Sequence, residues 1–316
     1  MNSALLDRLR TAEGRFLLLG DLGGHSVSAD LDELERFGFV LERHPYLGVA
    51  YRGASPRLCP DQIEWNLGTK RVGRRIAVWN RVSSTNDLAV AASGSSANEG
   101  LVILAEEQER GRGRRGRAWI APSGSCVLMS VLLFPAESIA SPTWLTALGA
   151  VAAADVVADA TRRDVRIKWP NDVRVEGRKI AGVLVERGAG SVVGIGLNAD
   201  FDEQEMPENL RGVATSVKIL TGLSVDRSDL ARALIQRVDH YYDEGIRFGP
   251  SPMNRAWRER LEPIGRDVRL STAEGEVTGR LIDASLDRGL LISRDTGESR
   301  WFAYPEILGI DGERFS

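Results

Sequence analysis

Between residues 70 and 260, apolar runs of strand length alternate with helical segments, and this alternation restricts the fold more than any other feature of the chain. The runs are "RIAVWNRV" (75–82), "LVILAEE" (101–107), "SCVLMSVLLF" (125–134), "VRIKWP" (165–170), "KIAGVLVERG" (179–188) and "SVVGIGLNA" (191–199). Between the third and the fourth lies the alanine-rich "WLTALGAVAAADVVADA" (144–160), and residues 226–247 recover helical periodicity through Leu230, Leu234, Val238 and Tyr241. Short apolar runs bounded by turn residues read as strands, longer periodic ones as helices. Strands flanked by helices in this way predict an α+β fold with a mixed β-sheet.

The flanks have a different texture. Residues 1–62 carry short helical patterns, "ALLDRLR" and "SADLDELERF", followed by "FVLERHPYLGVAYRG", whose central turn between apolar runs predicts a hairpin. A small helical domain with a wing is expected there. Residues 263–316 repeat short strand, Gly or Asp turn, short strand, the pattern of a small β-barrel. The domains are therefore expected at 1–62, 70–262 and 263–316. No internal repeat is present.

A net charge of −3 and an isoelectric point near 5.8 argue against general binding to nucleic acid or an anionic membrane, so any basic function must be local. Cys59 and Cys126 share no metal or redox spacing, which fits a reducing cytoplasm, and His25, His44 and His240 form no ligand set. The N-terminus has no apolar signal core, and no stretch reaches the roughly 18 apolar residues of a membrane span.

The local basic feature is "GRGRRGRAW" (111–119), with four arginines and three glycines in its first seven positions. A solvated charge run, a nucleic-acid patch and a phosphate lid all fit it. Gly111, Gly113 and Gly116 would free the backbone for positive φ and for close approach to a ligand, leaving the loop mobile when empty. Arginine guanidinium groups match phosphate oxygens bidentately. Walker A spacing and a Rossmann fingerprint are both missing. Two further clusters add polar groups at strand ends. In "IKWPNDV" (167–173) Pro170 ends a strand and presents Asn171 and Asp172, either as an Asx turn or as ligands. In "GRKIAGVLVE" (177–186) Lys179 opens an apolar strand. "SSTND" (83–87) precedes a helix, so Ser84 or Thr85 could cap it while its neighbours face a pocket.

The segments "STND" (84–87), "AEEQERGRGRRGRAW" (105–119), "KWPND" (168–172), "KIAGVLVE" (179–186) and "GIGLNAD" (194–200), in this order, resemble the biotin protein ligase family. The likeness spans most of residues 75–316, since a small SH3-like barrel also ends family members. The resemblance implies a cytoplasmic ligase that adenylates biotin with ATP and Mg²⁺. It would then pass biotin to a lysine on the biotin carboxyl carrier protein of acetyl-CoA carboxylase or a related carboxylase. It also implies site residues. Ser84, Thr85, Asn86, Gln108, Arg112, Gly113 and Arg114 would hold biotin. Lys179 would stand where the biotin carboxylate meets the α-phosphate, with Arg114 as its catalytic companion. Gly111, Arg114, Arg115, Gly116, Arg117, Lys168, Asn171 and Asn198 would contact ATP or the adenylate. Trp119 would either stack on adenine or sit in the core. Asp172 would hold Mg²⁺ or orient Lys179. A lipoate ligase runs the same adenylation on another acid, and dimerisation through the central sheet is left open.

Some family members carry an N-terminal winged helix that represses biotin operons. Here the helix in the recognition position, "SVSADLDELERF" (26–37), carries Asp30, Asp32, Glu33 and Glu35 against Arg36 alone. Residues 1–60 hold seven basic and eight acidic side chains, so DNA binding is not expected.

Overall fold

The computed structural model describes residues 1–23, 27–262, 264–294, 297–310 and 313–314, with Arg115, Glu313 and Arg314 described by their backbone alone. His25, assigned no ligand role above, and Pro263, the expected domain boundary, lie outside the described residues.

The chain starts with helices α1 (Ser3–Thr11), α2 (Leu19–Leu22) and α3 (Val27–Phe37), then the antiparallel hairpin β1 (Val40–His44) and β2 (Gly48–Gly53). Asn2 caps α1 by accepting from the Leu5 N–H at 3.0 Å. Leu5, Leu6 and Leu9 of α1 pack with Leu31 and Leu34 of α3 and Val49 of β2. This buried stripe turns Asp32, Glu33 and Glu35 of α3 to solvent.

After α4 (Pro60–Glu64) comes the large sheet, threaded through β3 (Arg75–Val82), α5 (Thr85–Ala92), β4 (Leu101–Gln108), β5 (Cys126–Leu133), α6 (Pro142–Thr161), β6 (Val165–Lys168), β7 (Asp172–Val175), β8 (Arg178–Arg187), β9 (Ser191–Asn198), α7 (Val217–Thr221), α8 (Arg227–Phe248), α9 (Ser251–Arg260) and β10 (Leu261–Glu262). Strand order is β10-β6-β7-β8-β9-β5-β4-β3; the β10–β6 and β3–β4 pairs are parallel and the others antiparallel. The sheet is mixed, as expected. The strand end expected at Pro170 does not end the sheet there. Strand β6 ends at Lys168, and the chain reverses over the three residues 169–171 and pairs straight back as β7, with Lys168 opposite Asp172.

Helix α6 shows why the alternation is so restrictive. Fourteen of its 20 residues are buried, on every side of the cylinder, against β8, β9, α8 and α9. Gly149 permits the close approach: a Cβ there would lie 2.9 Å from Val183. By length and composition α6 is apolar enough to cross a membrane, which the sequence reading passed over; in the fold it is a core helix.

Residues 56–64 are tied to the sheet by polar contacts. Arg227, 4% exposed, pairs with Glu106 at 2.7 Å and donates to the Cys126 carbonyl at 3.1 Å, while Glu106 accepts from the Leu58 N–H at 2.6 Å. Arg10 of α1 and Gln62 of α4 both reach Asp226 and Asp229 at the start of α8.

Beyond β10 the chain forms β11 (Asp267–Thr272), β12 (Gly275–Ser285), β13 (Gly289–Ser293), β14 (Ser299–Phe302), β15 (Ile307–Ile310) and β16 (Glu313–Arg314). They make a second, six-stranded antiparallel sheet, ordered β14-β13-β12-β11-β15-β16, with bulges in the β11–β15 and β12–β13 pairs.

Candidate active site

A cavity of about 300 Å³ opens over β8 and β9 at three glycines, Gly182, Gly194 and Gly196. Gly182 of β8 is paired with Gly196 of β9, and Gly194 lies two residues before Gly196 on the same face. Neighbouring groups fill the space these glycines leave. A Cβ on Gly196 would come within 2.6 Å of the Trp119 ring, and one on Gly194 within 2.3 Å of Asn86 Oδ1. The glycine floor thus lets Trp119 and Asn86 lie directly on the sheet.

One end of the cavity is a neutral polar network. The Thr85 N–H donates to Gln108 Oε1 at 2.8 Å, and the Thr85 hydroxyl lies 3.1 Å from the same oxygen. Ser130 Oγ, fully buried on β5, sits 2.7 Å from Thr85 Oγ1 and 2.6 Å from Asn86 Oδ1. Asn86 Nδ2 in turn donates to Glu186 at 2.7 Å. Glu186 then holds Arg112 at 3.0 Å, and Arg112 pairs with Asp87 at 2.5 Å. These contacts raise the Arg112 pKa, the Asp87 hydrogen bond most and Glu186 next; reciprocally, Arg112 holds Asp87 below the usual carboxylate range. Ser84 occupies the N-cap position of α5 without a side-chain capping bond, and the Thr85 hydroxyl turns to Gln108 and Ser130. Neither side chain therefore caps the helix, contrary to the expectation; both line the cavity.

The other end is cationic. Arg114, Arg117, Lys168, Arg174 and Lys179 line it around Asp172, the single carboxylate of the lining among the described residues. A β-bulge aims Lys179. Asp172 pairs with Gly182 and Val173 with Ala181, but Arg174 pairs with Lys179, so Ile180 is the extra residue. Ile180 and Ala181 both point into the core, each 0% exposed. Strict alternation from Gly182 would have buried Lys179 as well. With the bulge it shares the cavity face with Asp172, whose Oδ1 lies 2.7 Å from Lys179 Nζ. The bulge is pinned through the backbone: the Lys179 N–H donates to Val213 at 2.9 Å and its carbonyl accepts from Thr215 at 2.8 Å.

The arginine loop folds back on itself. The Trp119 N–H donates to the Gly111 carbonyl at 2.9 Å and the Gly113 N–H to the Arg117 carbonyl at 2.7 Å, leaving Arg114–Gly116 as a 3-10 turn at the tip. Only Gly116 needs its glycine for positive φ, at +72°. Gly113 is at −103°, and Gly111 is required for close approach, since a Cβ there would meet the Trp119 carbonyl at 2.7 Å. All three glycines were expected to serve both positive φ and close approach; positive φ belongs to Gly116 alone. From the tip Arg114 donates to Asn171 Oδ1 at 3.2 Å, and Asn171 Nδ2 donates to the Val183 carbonyl at 3.0 Å.

Of the residues singled out from sequence, Ser84, Thr85, Asn86, Gln108, Arg112, Gly113, Arg114, Arg117, Trp119, Lys168, Asn171, Asp172 and Lys179 line this one cavity. Gly111 and Gly116 do not; they shape the loop. The Arg115 side chain lies outside the description. Asn198 is buried away from the lining, its amide donating to Thr215 at 2.9 Å and accepting from Cys126 at 3.6 Å. Trp119 is half-buried: it lines the cavity and packs against the cluster that holds Leu128 and Phe201, with Lys179 Nζ 5.5 Å from its ring centroid. Ser130, Glu186, Arg174 and the glycine floor were not among the residues expected from sequence. The i, i+2 spacing of Gly194 and Gly196 in "GIGLN" is the one signal that could have revealed any of them.

Comparison with known proteins places this geometry. The Biotin/lipoate A/B protein ligase family model matches residues 78–202, which carry nearly all of the cavity wall. A biotin--[acetyl-CoA-carboxylase] ligase of Paracoccus denitrificans is 33% identical over 227 residues, covering 68% of this chain and 92% of that protein. The bifunctional ligase/repressor BirA of Bacillus subtilis (strain 168) is 27% identical over 290 residues, 90% of this chain and 89% of its own. Among solved structures, the biotin protein ligase from Aquifex aeolicus in complex with biotin and ATP matches with a TM-score of 0.66 at 25% identity, covering 75% of this chain and 98% of that one. With one third of the residues shared over nearly the whole length of a ligase, and the same fold beneath them, the chain belongs to the biotin protein ligase family.

Proposed function

We propose that the cavity joins biotin to AMP and that the enzyme then transfers biotin to a lysine of a carboxyl carrier protein. The observation that carries this reading is the division of one cavity into a neutral polar end and a cationic end, with Lys179 turned into the second by the Ile180 bulge. The uncharged ureido ring needs compact donors and acceptors, and Ser84, Thr85, Asn86 and Gln108 supply them beside the glycine floor. The valerate carboxylate would point toward Lys179.

In the first step a carboxylate oxygen attacks the α-phosphorus of ATP, a C–O–P bond forms, and pyrophosphate leaves. Two anions must meet, so positive charge fixed between them lowers the barrier. Lys179, oriented by Asp172, would supply it, and Arg114, Arg117, Lys168 and Arg174 would take the phosphates. Among the described residues no cluster of three metal-ligating side chains occurs. The one cavity carboxylate suits an ion that arrives bound to phosphates, so Asp172 would hold Mg²⁺ together with ATP, adding further charge neutralisation. In the second step the carrier's lysine amine attacks the acyl carbon, an amide forms, AMP leaves, and the amine loses a proton to solvent. The folded arginine loop would shield the mixed anhydride from water in between.

This reading takes 70–262 as the catalytic domain, 1–62 as a winged-helix-like domain and 263–316 as an SH3-like one, in a cytoplasmic enzyme. Buried, free Cys59 and Cys126 and the core position of α6 fit that compartment. Residues 1–62 would not bind DNA. The match to the Bacillus subtilis ligase/repressor is long enough to enter this segment. Yet Arg43 of the hairpin is held by Asp32 and Glu35, each at 2.6 Å, and Arg52 by Glu42 at 2.5 Å, so both arginines are committed to carboxylates.

ATP–pyrophosphate exchange measured with biotin, with lipoate and with neither tests the reading. Exchange that depends on biotin is expected; exchange supported by lipoate alone would overturn it.

A further inference from the structure

Tyr304 lies in the 3-10 turn Tyr304–Glu306 between β14 and β15 of the second sheet, far along the chain from every motif discussed above. Its ring nevertheless packs against the cavity. The centroid is 5.2 Å from that of Trp169 and 5.3 Å from the Arg114 guanidinium carbon. Trp169 and Arg114 both line the cavity, and Arg114 continues to Asn171 at 3.2 Å. The turn that carries Tyr304 is braced from within its own sheet: Glu306 accepts from the Ala303 N–H at 2.6 Å and from Arg300 at 2.7 Å. Such bracing limits how far the ring can move away from the loop tip.

We infer that Tyr304 is a positioning residue that holds the tip of the arginine loop closed through Arg114 and so slows the escape of the adenylate. The inference rests on the function proposed above. A cation over an aromatic face is favoured without any group having to be removed, so the contact acts like a latch. A guanidinium can leave it in one motion when the loop opens. The C-terminal sheet thereby acts on the site without touching substrate.

The experiment follows dissociation of radiolabelled biotinyl-AMP, formed on the full-length enzyme, after a chase with excess unlabelled biotinyl-AMP. Parent, Tyr304→Leu, Tyr304→Met and Tyr304→Phe are compared, and Tyr304→Leu is repeated in an Arg114→Gly background. Leu and Met remove the π face and should speed dissociation about 3- to 10-fold, more than they slow synthesis. Phe keeps the face and should stay near the parent rate. With Arg114→Gly present, Leu should add little, because the partner of the ring is already gone. Parent-like dissociation from folded Leu or Met variants would overturn the inference. So would a Phe variant as fast as Leu, or an undiminished effect of Leu without Arg114. A parent enzyme that forms no biotinyl-AMP would instead refute the proposed function, and the exchange assay shows that separately.

Discussion

Replacing Lys179 with alanine separates a chemical role from a structural one. Its ammonium lies 2.7 Å from Asp172, and the two side chains are 31% and 22% exposed. An ion pair this accessible contributes at most about 1 kcal/mol to folding. The bulge that presents it is fixed by backbone hydrogen bonds and by buried Ile180 and Ala181, none of which the substitution touches. Tm should therefore fall by less than about 4 °C. The chemical loss is much larger. A unit charge about 4 Å from developing negative charge is worth about 4 kcal/mol at an effective dielectric near 20. Removing one preorganised electrostatic partner costs roughly 10²–10³ in rate, or about 2.7–4 kcal/mol. Single-turnover formation of biotinyl-AMP, with thermal melting in parallel, is the assay. Synthesis should drop by that factor in a protein that melts almost normally. Parent-like synthesis would remove Lys179 from the site, and a collapse of Tm would mean that the lysine is structural.

Three other outcomes are expected. Gly194→Ala would set a methyl group 2.3 Å from Asn86 Oδ1 in a packed network; at about 1–3 kcal/mol for overpacking, titration calorimetry should show biotin affinity weakened about 5- to 150-fold, and unchanged affinity would remove Asn86 from the ring subsite. Arg114→Gly loses the contacts to Asn171 and Tyr304, so biotinyl-AMP should escape and label unrelated lysines; mass spectrometry of a bystander protein showing no excess label would contradict a retaining role. A mobility shift at low salt with biotinyl-AMP and the DNA upstream of the organism's own biotin-synthesis genes should show no specific complex, whereas salt-sensitive, sequence-selective retardation would restore a repressor role.

The strands, the central helix and most of the cavity wall were legible in the chain because each depends on a local pattern. Apolar runs bounded by turns gave six strands of the large sheet, and the four polar motifs converge because each ends or begins one of those strands. What stayed hidden is cross-strand. Ile180 looks like any apolar strand residue, and only its register against Val173 and Arg174 shows that it is the bulge that redirects Lys179. Ser130 sits inside a fully buried apolar run, and its role comes from Thr85 and Asn86, more than 40 positions away. Strand β7 has no signal of its own, because Pro170 and the polar Asn171 and Asp172 dominate the local pattern, although Asp172–Val175 pairs on both sides. Tyr304 carries no motif at all. Asn198, by contrast, had a motif but sits behind the wall, bonded to Thr215.

The central claim is that this cavity activates biotin for transfer to a single acceptor. The most direct measurement incubates the purified enzyme with biotin, ATP, Mg²⁺ and an apo biotin carboxyl carrier domain, and reads the intact mass of the carrier followed by peptide mapping. The account predicts a gain of one biotin less one water, on one lysine, dependent on ATP and abolished by Lys179→Ala on the same time scale. A carrier left unmodified by the parent enzyme, or modified equally well by lipoate in place of biotin, would contradict it.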